Sequence, residues 1–221
     1  MTHHRRRNNG TDPSKINETV ELSPAQRYAA FKQTQAKQRT VAAEFARSMP
    51  FELDEFQMQA NDALEAGDNV LVAAPTGAGK TVAADFAIYL AQTRNVKAFY
   101  TTPIKALSNQ KYHDLVDQYG TDKVGLLTGD TSINSEADIV VMTTEVLRNM
   151  LYEHSVTLEA LRYVILDEVH YLADRFRGPV WEEVIIHLPK NVNIIGLSAT
   201  VSNVEDFSEW IESVRGKTTL V

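Results

Sequence analysis

From Phe51 onward the chain alternates short apolar runs with longer segments whose apolar positions recur every three or four residues. The short runs are Asn69 to Ala74, Ala98 to Thr102, Val124 to Leu127, Ile139 to Thr143, Tyr163 to Leu166 and Asn193 to Leu197. Most are rich in Val, Ile, Leu or aromatic residues and have the length of buried strands. Between them, Asp54 to Ala66, Lys80 to Gln92, Lys105 to Tyr119, Glu145 to Glu153, Val180 to Leu188 and Val204 to Val214 predict helices. This alternation builds an α/β fold, a mostly parallel sheet with helices on both faces, and such sheets bind ligands beyond the carboxyl ends of their strands. No internal repeat is visible. Lys217 to Leu220 reads as one more strand.

Upstream of Phe51 the pattern changes. Residues 1–22 are polar, lack an apolar period and predict a disordered basic tail. Ser23-Pro24 has the form of a helix start, and Tyr28, Phe31, Val41 and Phe45 fall roughly on one face of a helix reaching Arg47 or Ser48. The expected organisation is therefore a tail over 1–22, a helical extension over 23–50 and a nucleotide-binding domain over 51–221.

Composition narrows the class. A 221-residue chain that is 43% hydrophobic and has no cysteine can bury a core without disulfides. The basic start Met1 to Arg7 runs into polar Asn8 to Pro13 instead of the apolar stretch of a signal peptide, and no run reaches the ~18 apolar residues of a membrane span. The expected location is cytoplasmic, with no membrane partner. The net charge of −7 divides into +5 over residues 1–50 (9 Lys or Arg against 4 Asp or Glu) and −12 over the remainder (13 against 25). An acidic body does not grip nucleic acid by charge alone, so any such contact must be local. The basic segment reads as a solvated face or, more sharply, as an arm for a partner or nucleic acid. Of the six histidines the only close pair is His3 and His4, without a Cys to complete a zinc set, so no structural metal is expected.

The chemistry lies at the ends of two predicted strands. Residues 73 to 81 read Ala-Ala-Pro-Thr-Gly-Ala-Gly-Lys-Thr. A loop of Pro75, Thr76, Gly77, Ala78 and Gly79 can turn backbone N–H groups toward phosphate oxygens, Lys80 can neutralise the β and γ phosphates, and the Thr81 hydroxyl can ligate Mg²⁺. Ala74 stands where the strict loop pattern has Gly, but strand, loop and helix follow in the required order. After the second strand comes Asp167-Glu168-Val169-His170. Asp167 would hold Mg²⁺ and Glu168 would orient and deprotonate the attacking water of an ATP hydrolase.

The ordered segments Phe51 to Gln57, Ala74 to Thr81, Thr101 to Lys111, Thr128-Gly129-Asp130, Thr143-Thr144-Glu145, Asp167 to His170 and Ser198-Ala199-Thr200 resemble the first RecA-like motor domain of superfamily 2 helicases. The DEVH tetrapeptide, "PIKALSNQK" and "RGPVWEE" at Arg177 to Glu183 are most similar to the superkiller-like RNA helicases, and among them to the actinobacterial HelY type. The resemblance implies that Gln57 reads the adenine edge with Phe51 near the base. It implies that Pro103, Lys105, Thr128, Gly129, Asp130 and Thr144 touch the backbone of a single RNA strand, and that His170, Ser198 and Thr200 couple nucleotide state to strand grip. It also implies a second RecA-like domain that closes over the nucleotide, and RNA-decay machinery as partners. Three alternatives stay open at this point: a repair-type DNA helicase, an ATPase with no nucleic-acid role, which leaves Thr101 to Lys111 and Thr128 to Asp130 unexplained, and a nucleotide-gated binding module without turnover.

Overall fold

The computed structural model describes residues 23, 32, 39–170, 178–199 and 203–221. The expected tail and most of the helix expected from Ser23 lie outside the described residues; Lys32 is helical. That helix does not continue unbroken to Arg47, because Thr40 is extended (φ −77°, ψ 156°) and caps a new helix, α1, Val41–Ser48. The restart has one near and one distant cause. The Thr40 hydroxyl accepts from the Ala43 amide at 3.1 Å, and the Glu65 carboxylate accepts from Val41 at 2.9 Å and Ala42 at 2.8 Å. Three first-turn N–H groups are thereby satisfied.

The unit Thr40–Val221 continues with α2 Glu55–Ala66, β1 Asn69–Ala73, α3 Thr81–Arg94, β2 Lys97–Thr102, α4 Lys105–Tyr119, β3 Val124–Leu127 and β4 Ser132–Ile133. After these come β5 Ile139–Thr143, α5 Thr144–Tyr152, a 3₁₀ turn Val156–Leu158, β6 Leu161–Leu166, α6 Gly178–His187, β7 Asn193–Ser198, α7 Val204–Arg215 and β8 Thr218–Leu220. The strands form one sheet in the order β4-β3-β5-β2-β6-β7-β1-β8. Every pairing is parallel except β3 with β4.

Successive strand residues point to opposite faces, and the two cores follow from this. Val141 belongs to one cluster with Tyr100, Ile165, Leu64, Phe86 and Leu115, under α1 to α4. Val140 belongs to the other with Phe99, Val164, Leu147 and Trp181, under α5 and α6. Phe45 fixes α1 by packing its ring 5.2 Å from Phe86 and 5.4 Å from Tyr89. Registers align the functional edge: Ala73 sits opposite Ser198, Thr101 opposite Leu166, and Thr102 opposite Thr143. The segments leaving β1, β2, β5, β6 and β7 therefore emerge side by side, with β7 the single strand between the glycine loop and Asp167.

Candidate active site

The loop after β1 is held at its start by the Ala74 amide donating to the Ser198 carbonyl at 3.2 Å, and closed by Ala78 N–H to the Pro75 carbonyl at 3.1 Å. Gly77 and Gly79 have φ of +86° and +80°, the left-handed region that side chains disfavour. Gly79 is also crowded, since a Cβ there would lie 2.5 Å from Gln57 Nε2. The amides of Gly77, Gly79 and Lys80 meet no acceptor among the described residues. A run of unfilled donors at the start of α3 is an anion-binding arrangement. The Lys80 ammonium donates to the Pro75 carbonyl at 3.1 Å, folded back over the loop, and Thr81 is exposed.

Across β7, the turn after β6 begins with the Asp167 amide donating to the Thr101 carbonyl at 3.0 Å. Each Asp167 carboxylate oxygen receives one donor: Oδ1 from the Glu168 amide at 2.9 Å, and Oδ2 from the Tyr100 hydroxyl at 2.7 Å. Burial, then the Asp167 charge, pushes the Tyr100 phenol well above its ordinary value, so it keeps its proton and donates. The Lys111 ammonium stands 5.0 Å from the centre of that ring. Nearby, burial raises Asp85 to about 6 against the opposing pull of Lys111. Glu168 has a φ of +57°, and its Oε2 lies 3.2 Å from His170 Nδ1. No cluster of three metal-ligating side chains occurs among the described residues. The hydroxyl of Thr81 and carboxylate of Asp167 nevertheless suit Mg²⁺, which takes one or two protein oxygens and fills its shell with water and phosphate oxygens.

Gln57 adjoins the loop, but its amide is engaged inside the protein. Its Oε1 accepts from the Asp54 amide at 2.9 Å in a capping box, and its Nε2 donates to the Gly79 carbonyl at 3.1 Å. Phe51, half exposed, lines an open cavity of about 560 Å³ with Arg47, Met49, Leu53 and Met58. Of these, Leu53 lies in the Phe51 to Gln57 segment, whereas Arg47, Met49 and Met58 carry no motif and had no signal in the sequence.

The residues expected at a strand divide by burial. Lys105, Gly129 and Asp130 are exposed, whereas Pro103, Thr128 and Thr144 are buried. Lys105 grips the Asp130 carboxylate at 2.5 Å and 2.6 Å, and the Thr128 hydroxyl donates to the same group at 3.0 Å. These hydrogen bonds hold Asp130 below the usual carboxylate range. The Thr144 hydroxyl, at the start of α5, donates to the Thr102 carbonyl at 3.3 Å and is thereby turned into the protein. Ser198 ends β7 beside the glycine loop, and Thr200 lies outside the described residues.

Residues 54–207 match the family model of the DEAD/DEAH box helicases. The chain is 62% identical over 177 residues to the probable helicase HelY of Mycobacterium tuberculosis, covering 80% of this chain and 20% of that protein. It is 52% identical over 172 residues to the antiviral helicase SKI2 of Saccharomyces cerevisiae (78% and 13% covered). It is 51% identical over 174 residues to the DExH-box ATP-dependent RNA helicase DExH11 of Arabidopsis thaliana (79% and 13%). Among solved structures, the helicase Lhr of Mycobacterium smegmatis bound to ssDNA and AMP-PNP is similar with a TM-score of 0.62 at 31% identity, covering 75% of this chain and 25% of that one. The chain thus spans about a fifth or less of the length of the curated relatives it matches.

Proposed function

Because the chain belongs to the DEAD/DEAH box helicase family, we propose that it is the ATP-binding first motor domain of an ATP-dependent RNA helicase working in RNA processing or decay, with a second RecA-like domain supplied elsewhere in the protein. The observation that carries the reading is the common edge: unfilled loop amides, Lys80, Asp167 and Glu168 share the carboxyl end of one sheet with Lys105, Gly129 and Asp130.

On this reading the amides of Gly77, Gly79 and Lys80 receive phosphate oxygens. The Lys80 ammonium exchanges the Pro75 carbonyl for the β and γ phosphates, and Phe51 and Gln57 hold the base side. Thr81 and Asp167 would hold Mg²⁺, which would supply charge stabilisation to the phosphate oxygens. Glu168, presented by the turn after β6, takes the proton of the attacking water, with His170 Nδ1 standing 3.2 Å from its Oε2. An RNA phosphate near Lys105 would compete with Asp130 for the ammonium, which ties strand binding to a rearrangement of that loop. His170, Ser198 and Thr200 carry the coupling.

RNA is favoured over DNA by the name of the Arabidopsis relative, an RNA helicase. A repair-type DNA helicase is the second reading, supported by Lhr holding ssDNA. Strand choice separates them. ATP hydrolysis by the full-length protein is expected to accelerate with saturating single-stranded RNA and to respond weakly to DNA of the same sequence, and the opposite ranking would select the DNA reading.

A further inference from the structure

We propose that Tyr100 is a positioning residue for the metal-holding carboxylate. It sets the orientation of Asp167 so that the Mg²⁺-facing lone pairs are in place before nucleotide arrives. The inference rests on the reading of Asp167 given above. It goes further by assigning a role to a residue that no motif marks.

Tyr100 lies in the middle of β2 and is 1% exposed, in the cluster beneath α3 and α4. Packing alone would be met there by Phe, which occupies the preceding position on the opposite face of the strand. The hydroxyl has a specific use: it reaches Asp167 Oδ2 at 2.7 Å, while the Glu168 amide reaches Oδ1 at 2.9 Å. With one donor on each oxygen, rotation of the carboxylate breaks at least one hydrogen bond, and hydrogen bonds to charged acceptors are the strong ones. The phenol is itself fixed. Its ring is walled into the core, and Lys111 of α4 lies over its face. Two independent supports, one from the next residue and one from a neighbouring strand, therefore meet on a single side chain. This is the arrangement by which outer groups orient a metal ligand.

The test is Mg²⁺ titration of fluorescent ADP binding to the full-length protein, repeated in EDTA, with thermal melting as the check on the fold. Tyr100→Phe keeps the ring and removes the hydroxyl. It is expected to raise the half-saturating Mg²⁺ concentration by about tenfold or more, the usual cost of losing an outer-shell partner, while metal-free ADP binding and the melting temperature stay at wild type. An unchanged Mg²⁺ midpoint would overturn the proposal. So would a loss of metal-free binding by the same factor, since that would mean a distorted nucleotide loop rather than a misplaced ligand. Asp167→Asn run in parallel isolates the underlying reading. If that variant keeps wild-type Mg²⁺ dependence, Asp167 holds no metal, and the nucleotide-site reading falls together with the inference.

Discussion

Glu168 is held at a φ of +57°, a conformation that costs a non-glycine residue about 1 to 2 kcal/mol, and the Asp167 carboxylate stabilises the bend by accepting the Glu168 amide. The bend turns the chain sharply as it leaves β6 and brings Glu168 Oε2 to 3.2 Å from His170 Nδ1. Glu168→Gln keeps the shape and removes the base. In the full-length enzyme it is expected to leave ATP binding intact and lower hydrolysis by roughly 10² to 10⁴, measured under saturating RNA. Wild-type turnover would refute the role. At this scale the sequence was informative wherever the chemistry demanded a residue type at a fixed spacing, as in Gly77, Gly79, Lys80 and Asp167-Glu168. It was less so for side chains with two uses. Gln57 has the composition of a base reader, yet its amide also caps α2 and ties Gly79, and spacing alone does not separate these roles. Tyr100 reads as an ordinary aromatic in an apolar strand, because the partner of its hydroxyl lies 67 residues away.

The elements were legible where period and length agreed. Each of the six expected strands and the six helices expected after Phe51 is present, with ends displaced by at most two residues and three elements matched at both ends. The missed pieces are short or depend on distant partners. Ser132–Ile133 has two residues, too few to show an alternation, and its place against β3 comes from the hairpin it makes. The break at Thr40 depends on Glu65. Arg215, at the end of α7, is another long-range device. Although its charge suggests the surface, it is buried, and its guanidinium donates to the Leu188 carbonyl, to Pro189 at 2.6 Å and to Val192 at 2.8 Å. It thereby satisfies the carbonyls of the turn between α6 and β7, and burial lowers its pKa. Arg215→Met keeps the stem but removes the guanidinium donors of the Leu188 and Val192 carbonyls, Pro189 keeping the Val192 amide at 3.0 Å, so stability is expected to fall by about 2 to 3 kcal/mol. For a domain of this size that is roughly 5 to 10 °C in Tm, readable by calorimetry. An unchanged Tm would show that the turn does not need the guanidinium.

On the scale of the whole molecule, the described residues place the glycine loop, the acidic turn and the segments leaving β2 and β5 along the carboxyl end of one sheet. No helix among them is long and apolar enough to cross a membrane. Phosphoryl transfer relies on positioning and on charge brought to the transferring group. An arginine from an opposing surface can be worth ~10³ to 10⁵ in rate, and closure excludes water. Residues 51–221 carry 13 Lys or Arg against 25 Asp or Glu, so on the proposed reading strand binding at physiological salt also needs a second surface. That this domain is one wall of an ATP-driven RNA motor, as proposed, is checked by measuring ATP hydrolysis, with and without single-stranded RNA, for the 221-residue chain and for the full-length protein, each beside its Lys80→Ala variant. The expected outcome is RNA-stimulated hydrolysis in the full-length protein, its loss in Lys80→Ala, and no stimulation in the chain alone. RNA-stimulated hydrolysis by the chain alone, abolished by Lys80→Ala, would contradict it and show a self-sufficient motor.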